Sequence, residues 1–315
     1  MLSLTHRIPA DAHEGPVYVP AQRRLYFATA PSQRGPGARV ELKYWDLEAS
    51  IIDTWLYDAR MANGVALSCD ASCLLVCEQG DRERPAAIAR YRLSDKHRTQ
   101  VVADFEGQPF NSPNKVAELS TGVILFTDPD YGRRQRFRPT RVPTERTEGG
   151  AFLSPEEMAA RYRPDDALPP ATYVLAGGVL RKLDTGLEQP HGLAVSPDER
   201  YLYISDTSAD DGVGGFDESR RHDVYRYALD AGTGDLSMRR HLASVPVGIP
   251  DGMVCDEQGR LFCAVGDGIR VYDAEGARLH HELIDGGAVN LFLDCATRQL
   301  FVTTDEDIRV YALAR

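Results

Sequence analysis

Several short stretches set an ionisable or amide side chain at the start of an apolar run, most of them beside a glycine: Glu14-Gly15, Asn63-Gly64, Asn114-Lys115, His191-Gly192, Asp251-Gly252 and Asn290. Together they hold two carboxylates, an imidazole, an ammonium and several amides, the groups from which an acid–base site is assembled. Singly each has a plain structural explanation. Asn or Asp before Gly is a common turn pair, and Glu14 at the head of a strand can cap it. Their equivalent placement in successive repeats is what argues for a shared site.

The elements that must position them recur along the chain. Asn111 to Asn114 is a polar turn, followed by a short strand, a Thr121-Gly122 turn, an apolar strand and a second polar turn from Thr127 to Gly132. A hairpin brings both polar turns to the same end of a small sheet. Asn63 to Gly80, Pro190 to Thr207 and Pro250 to Gly266 repeat the pattern, with weaker copies from Glu14 and from Ala288. A third strand usually follows, at Val40 to Leu47, Ala87 to Leu93, Val224 to Leu229, Ile269 to Asp273 and Ile308 to Leu313. Six such units predict an all-β, six-bladed β-propeller of four-stranded blades rather than a β-sandwich. The first strands of a propeller line its central channel, so the residues above converge on one axis. The last unit lacks a fourth strand, which Leu2 to Ile8 can supply, closing the ring and removing an exposed edge. Residues 1–315 are therefore expected to form one domain. One insertion, at about 133–172, breaks the period; it begins with Arg133-Arg-Gln-Arg-Phe-Arg-Pro-Thr-Arg141 and holds a helix signal at Ser154 to Tyr162, with Ser as N-cap and Pro at N1. It leaves from the end that carries the candidate site, as a lid, a pocket wall or a plain surface excursion.

Composition narrows the classes. A formal net charge of −11, with no basic cluster outside the insertion, makes nucleic acid and anionic membranes poor partners. There is no 18-residue apolar run and no signal-peptide core in the first twelve residues, so a cytoplasmic protein with a small-molecule substrate is expected. The six cysteines fit neither a zinc-ribbon nor a disulfide scaffold, and Cys73, Cys77, Cys255 and Cys263 lie in apolar runs. No Gly-x-Ser-x-Gly elbow supports a serine hydrolase.

Glu14-Gly-Pro, Asn111-Ser-Pro-Asn, Phe126-Thr-Asp-Pro-Asp-Tyr-Gly132, Pro190-His-Gly-Leu-Ala-Val-Ser-Pro-Asp-Glu, Ser205-Asp-Thr207 and Gly248-Ile-Pro-Asp-Gly-Met253 together resemble the senescence marker protein (regucalcin)/gluconolactonase/luciferin-regenerating enzyme family. The resemblance implies a lactone hydrolase with one divalent metal ion (Ca, Zn, Mn or Fe) in the channel. It implies Glu14, Asn114, His191 and Asp251 as the metal set, and Asp251 as base or nucleophile. Asn63, Asn111, Asn114, Tyr131 and Arg60 are the candidate substrate contacts. Two departures stand out: His191 where the family usually has a metal-binding Asn, and Lys115 where it usually has Asp. Either His191 shifts the site from Ca²⁺ toward Zn²⁺, Mn²⁺ or Fe²⁺, or the Lys115 ammonium stands between Glu14 and Asp251 in place of a metal. In the second case a protonated His191 makes the four charges sum to zero. Lys115 and His191 then become catalytic in metal-free acid–base or amine chemistry on a small biosynthetic intermediate. Non-enzymatic calcium or small-molecule binding is the remaining alternative.

Overall fold

The structure, a computed structural model, describes residues 2–33, 37–81, 83–137, 167–212 and 215–314. Six four-stranded antiparallel sheets form a six-bladed β-propeller. The innermost strand of each blade leads its repeat: Glu14–Val19, Ala62–Leu67, Val116–Glu118, Pro190–Val195, Met253–Cys255 and Asn290–Asp294. The N-terminal strand Leu2–Pro9 pairs with Asp307–Leu313 and becomes the outer strand of the sixth blade, with Leu2 opposite Leu313 and Pro9 opposite Asp307.

The second strand of each blade explains the near-continuous apolar runs in the sequence. In Cys73–Glu78, Leu74 and Val76 pack toward the first blade while Leu75 and Cys77 pack toward the third. A strand sandwiched between two neighbouring sheets must be apolar on both faces, so alternation is lost. The buried core is accordingly divided into six clusters, one between each pair of adjacent blades. The cluster between the sixth and first blades, with Phe27, Phe301 and Val310, seals the ring. All six cysteines are free thiols, and Cys77, Cys255 and Cys263 are buried as small hydrophobes.

The insertion opens with a short helix, Tyr131–Phe137, and the third blade resumes at Ala171–Ala176. The helix expected at Ser154 to Tyr162, and the lid with it, lie outside the described residues. Among the described residues no helix is long and apolar enough to cross a membrane.

Candidate active site

Close approach between inner strands explains why the channel residues are so often followed by glycine. A Cβ added to Gly64 would sit 2.2 Å from the Asn114 carbonyl oxygen, and one on Gly192 would sit 2.0 Å from that of Asp251. The glycine of one blade thus seats the site residue of the next. The register slips at Glu14/Val17, Ala62/Val65 and Pro190/Leu193 mark the same positions, where a bulge re-aims the strand start. Lys115 occupies the corresponding place after Asn114. Its N–H donates to Thr127 Oγ1 at 3.2 Å and its carbonyl accepts the Thr127 N–H at 3.0 Å. Thr127 Oγ1 in turn donates to the His191 carbonyl at 2.6 Å, tying the third blade to the fourth.

A cavity of about 310 Å³ opens over these strand starts, lined among others by His13, Glu14, Asn63, Asn114, Tyr131, His191 and Asp251. Lys115 Nζ donates to Glu14 Oε2 and stands 4.0 Å from Asp251 Oδ1. Asn290 Nδ2 donates to the same Glu14 oxygen at 2.7 Å. His191 Nδ1 is 3.4 Å from Asp251 Oδ1 without a hydrogen bond between them. The His191 ring meets Tyr131 edge to face at 5.3 Å, and the Tyr131 hydroxyl donates to the Thr207 carbonyl at 2.7 Å. Among the described residues that line the cavity, four buried polar atoms have no hydrogen-bond partner: Asn63 Oδ1, Asn114 Oδ1, His191 Nδ1 and Asp251 Oδ1. Buried acceptors left open are where an incoming ligand gains most.

The charges are uneven. Burial opposes ionisation of Glu14, but the Lys115 ammonium overrides it and holds that carboxyl below its ordinary range. Asp251 moves the other way: burial, then the charge of Glu14, push it up to about 7 against the pull of Lys115. His191 is pushed down to about 3 by burial and by Lys115, so its ring is uncharged at neutral pH. The charge balance that the metal-free alternative drew from a protonated His191 is therefore not available from that ring. The balance is struck instead by a carboxyl, Asp251, that retains its proton to near neutrality.

Of the expected substrate contacts, Asn63, Asn114 and Tyr131 line the cavity, whereas two of the others do not. Arg60 sends its guanidinium to the buried Glu78, Nε to Oε2 at 3.1 Å. Asn111 donates through its side chain to Asp128 and to the Leu168 carbonyl. Both side chains are thus held by groups outside the cavity lining. His13 was not singled out by the sequence. It lines the cavity with Nδ1 hydrogen-bonded to Asp305, and burial notwithstanding, that bond and Glu14 raise its pKa. It lacks the following glycine that marks most of the other site positions.

Glu14, Asn114, His191 and Asp251 surround the cavity as expected, but their arrangement does not fit a divalent ion. Glu14 Oε2 already accepts from two donors, Lys115 and Asn290. A doubly charged ion about 4 Å from the ammonium would be repelled by roughly 8 kcal/mol at an effective dielectric of about 20. Among the described residues no three His, Cys, Asp or Glu side chains are arranged to hold a metal.

Comparisons with known proteins agree with this architecture. Residues 12–306 match the family described as the SMP-30/Gluconolactonase/LRE-like region. The chain is 26% identical over 312 residues to a gluconolactonase of Zymomonas mobilis, covering 94% of this chain and 76% of that protein. It is 25% identical over 270 residues to a pentonolactonase of Haloferax volcanii, covering 84% and 71%. A gluconolactonase structure from Xanthomonas campestris superposes with a TM-score of 0.74 at 28% identity, covering 99% of this chain and 95% of that one.

Proposed function

The chain belongs to the SMP-30/gluconolactonase/LRE-like family, and from that premise we propose that it hydrolyses a small lactone in the cavity at the channel mouth. The observation that carries this reading is Asp251, a carboxyl with a pKa of about 7 that faces the cavity beside an ammonium and an uncharged imidazole. A general base works best with a pKa near the operating pH.

In this reading Asp251 takes a proton from water as the water oxygen attacks the lactone carbonyl. The carbonyl π electrons move onto oxygen, and the resulting oxyanion lies within the field of the Lys115 ammonium. Collapse re-forms the carbonyl and breaks the ring C–O bond, and the departing alkoxide takes the proton back from Asp251. The hydroxy acid product ionises, releasing one proton per turnover at neutral pH. Among the described residues the cavity lining offers Asn63, Gln79 and Asn114 amides and the Thr29 hydroxyl but no guanidinium. That lining suits an uncharged, polyhydroxylated ring, and the names of the relatives support a sugar lactone.

A divalent ion (Ca, Zn, Mn or Fe) held by Glu14, Asn114, His191 and Asp251 is a second reading of the same hydrolysis. One observation favours it: Asn114 Oδ1, His191 Nδ1 and Asp251 Oδ1 are open. Those atoms serve substrate hydroxyls equally well, and the ion pair of Glu14 with Lys115 speaks against the metal.

The test is proton release from a panel of sugar and aromatic lactones, measured above the spontaneous rate. Acceleration on sugar lactones that disappears in Asp251→Asn is expected. No acceleration on any lactone removes the reading.

A further inference from the structure

We propose that the Lys115 ammonium takes the place of the divalent cation in this channel, so that the chain binds no catalytic metal and works without one. The inference rests on the lactone-hydrolase reading for its chemistry, but its structural content stands apart from it.

The blade repeat supplies the first reason. Asn63-Gly64, His191-Gly192 and Asp251-Gly252 each pair a channel residue with a glycine, whereas the third blade pairs Asn114 with Lys115. Asn290 of the sixth blade is followed by Leu291, so Lys115 is the one charged side chain in this series that follows a channel residue, and its ammonium reaches the first blade's Glu14. It is only 8% exposed, against 4% for its carboxylate partner. A buried cation of that kind is retained only if it is paired.

The second reason is the coordination of Glu14. Lys115 from the third blade and Asn290 from the sixth both donate to Oε2. A metal approaching that oxygen would have to displace both. The third reason is donor chemistry. An imidazole nitrogen, His191 Nδ1, faces Asp251, which disfavours Ca²⁺, a hard cation that prefers oxygen; against Zn²⁺, Mn²⁺ and Fe²⁺ the argument is the occupied Glu14 oxygen and the ammonium beside it. Finally, two carboxylates converging on one channel need a positive partner, and this chain carries its own. The ammonium holds Glu14 and stands 4.0 Å from Asp251, so its charge would give a developing oxyanion beside Asp251 the stabilisation that a Lewis acid would otherwise supply.

The experiment uses the full chain, stripped with a chelator and assayed for metal content. Ca²⁺, Mn²⁺ and Zn²⁺ alone are then titrated calorimetrically into wild type, Lys115→Asp and Lys115→Met, with lactone hydrolysis followed in parallel. Wild type is expected to show no stoichiometric binding and to keep its rate in chelator. Lys115→Asp, which exchanges the cation for a ligand, is expected to bind one ion at least about tenfold more tightly than wild type. Lys115→Met, with unchanged circular dichroism, is the variant to read if the aspartate unfolds the chain. One ion per chain bound by wild type, or activity lost to chelator and restored by one ion, overturns the proposal. So does a folded Lys115 variant that binds metal no better than wild type. If no lactone is hydrolysed, the hydrolase reading fails while the calorimetry still decides the place of Lys115.

Discussion

Replacing Asp251 by Asn should stabilise the protein at alkaline pH while abolishing its turnover. Asp251 titrates near 3.8 in an unfolded chain and at about 7 in the folded one. A folded-state pKa above the unfolded value means that the folded chain holds more protons between those limits. Stability therefore falls as pH rises from about 4 to 7 and levels off above, at about 1.4 kcal/mol per pH unit. The whole displacement corresponds to on the order of 4 kcal/mol, and the part lost between pH 5 and pH 8 to roughly 3 kcal/mol. Asn keeps the shape and cannot ionise, so urea unfolding should show the variant gaining on wild type by about that amount from pH 5 to pH 8. Turnover should drop by about a thousandfold, within the usual range for loss of a general base. A stability difference that stays flat across this pH range, or turnover within about twofold of wild type, would refute the reasoning. Either result would mean that the carboxylate is comfortably charged in the channel and not held near neutrality for proton transfer.

The remaining expectations test the site from other sides. Because the base must be ionised, kcat/KM should rise with pH and reach a plateau above about 7, as read from a pH–rate profile. In Gly192→Ala the new Cβ would fall 2.0 Å from the Asp251 carbonyl oxygen; displacing that strand should cost at least about a hundredfold in kcat/KM, visible in steady-state assays of the folded fraction. Arg60→Ala removes a partner of the buried Glu78, which Arg98 also holds. It should cost about 1–3 kcal/mol in urea unfolding and leave KM unchanged, whereas a raised KM would return Arg60 to the substrate site.

The fold and most of the site positions were legible because one physical constraint writes both. Where inner strands approach most closely around the channel, at Gly64, Gly192 and Gly252, only a residue without Cβ fits, and the residue before it is left facing the channel. Asn63, His191 and Asp251 are found that way. What spacing does not encode is direction. Arg60 lies three residues before Asn63, but Arg60 and Met61 both adopt left-handed backbone, with φ of 53° and 59°. The turn carries the guanidinium to Glu78 and leaves Met61 on the cavity. Asn111 turns from the cavity for a related reason, since the Asp128 carboxylate collects the backbone N–H of both Asn111 and Ser112 and with them the Asn111 side chain. His13 carries no such mark in the sequence, because its neighbour is Glu14 and not glycine, although the same strand start carries it to the cavity.

Lys115 shows how far the repeat itself can settle an electrostatic question. From sequence, the side chain had two destinations, the channel or the solvent. The backbone of the third blade leaves it the channel, because both peptide groups of Lys115 are held by Thr127 and Thr127 also fixes the His191 carbonyl. Burial and the ammonium together set the other protonation states. Glu14 is kept ionised as its partner, and His191 is kept neutral by burial and then by the nearby positive charge. Asp251, left with burial, the charge of Glu14 and only a distant ammonium, is pushed toward neutrality. One lysine thus separates two carboxyls of the same channel into a fixed charge and a titrating group, which is the division of labour that acid–base catalysis requires.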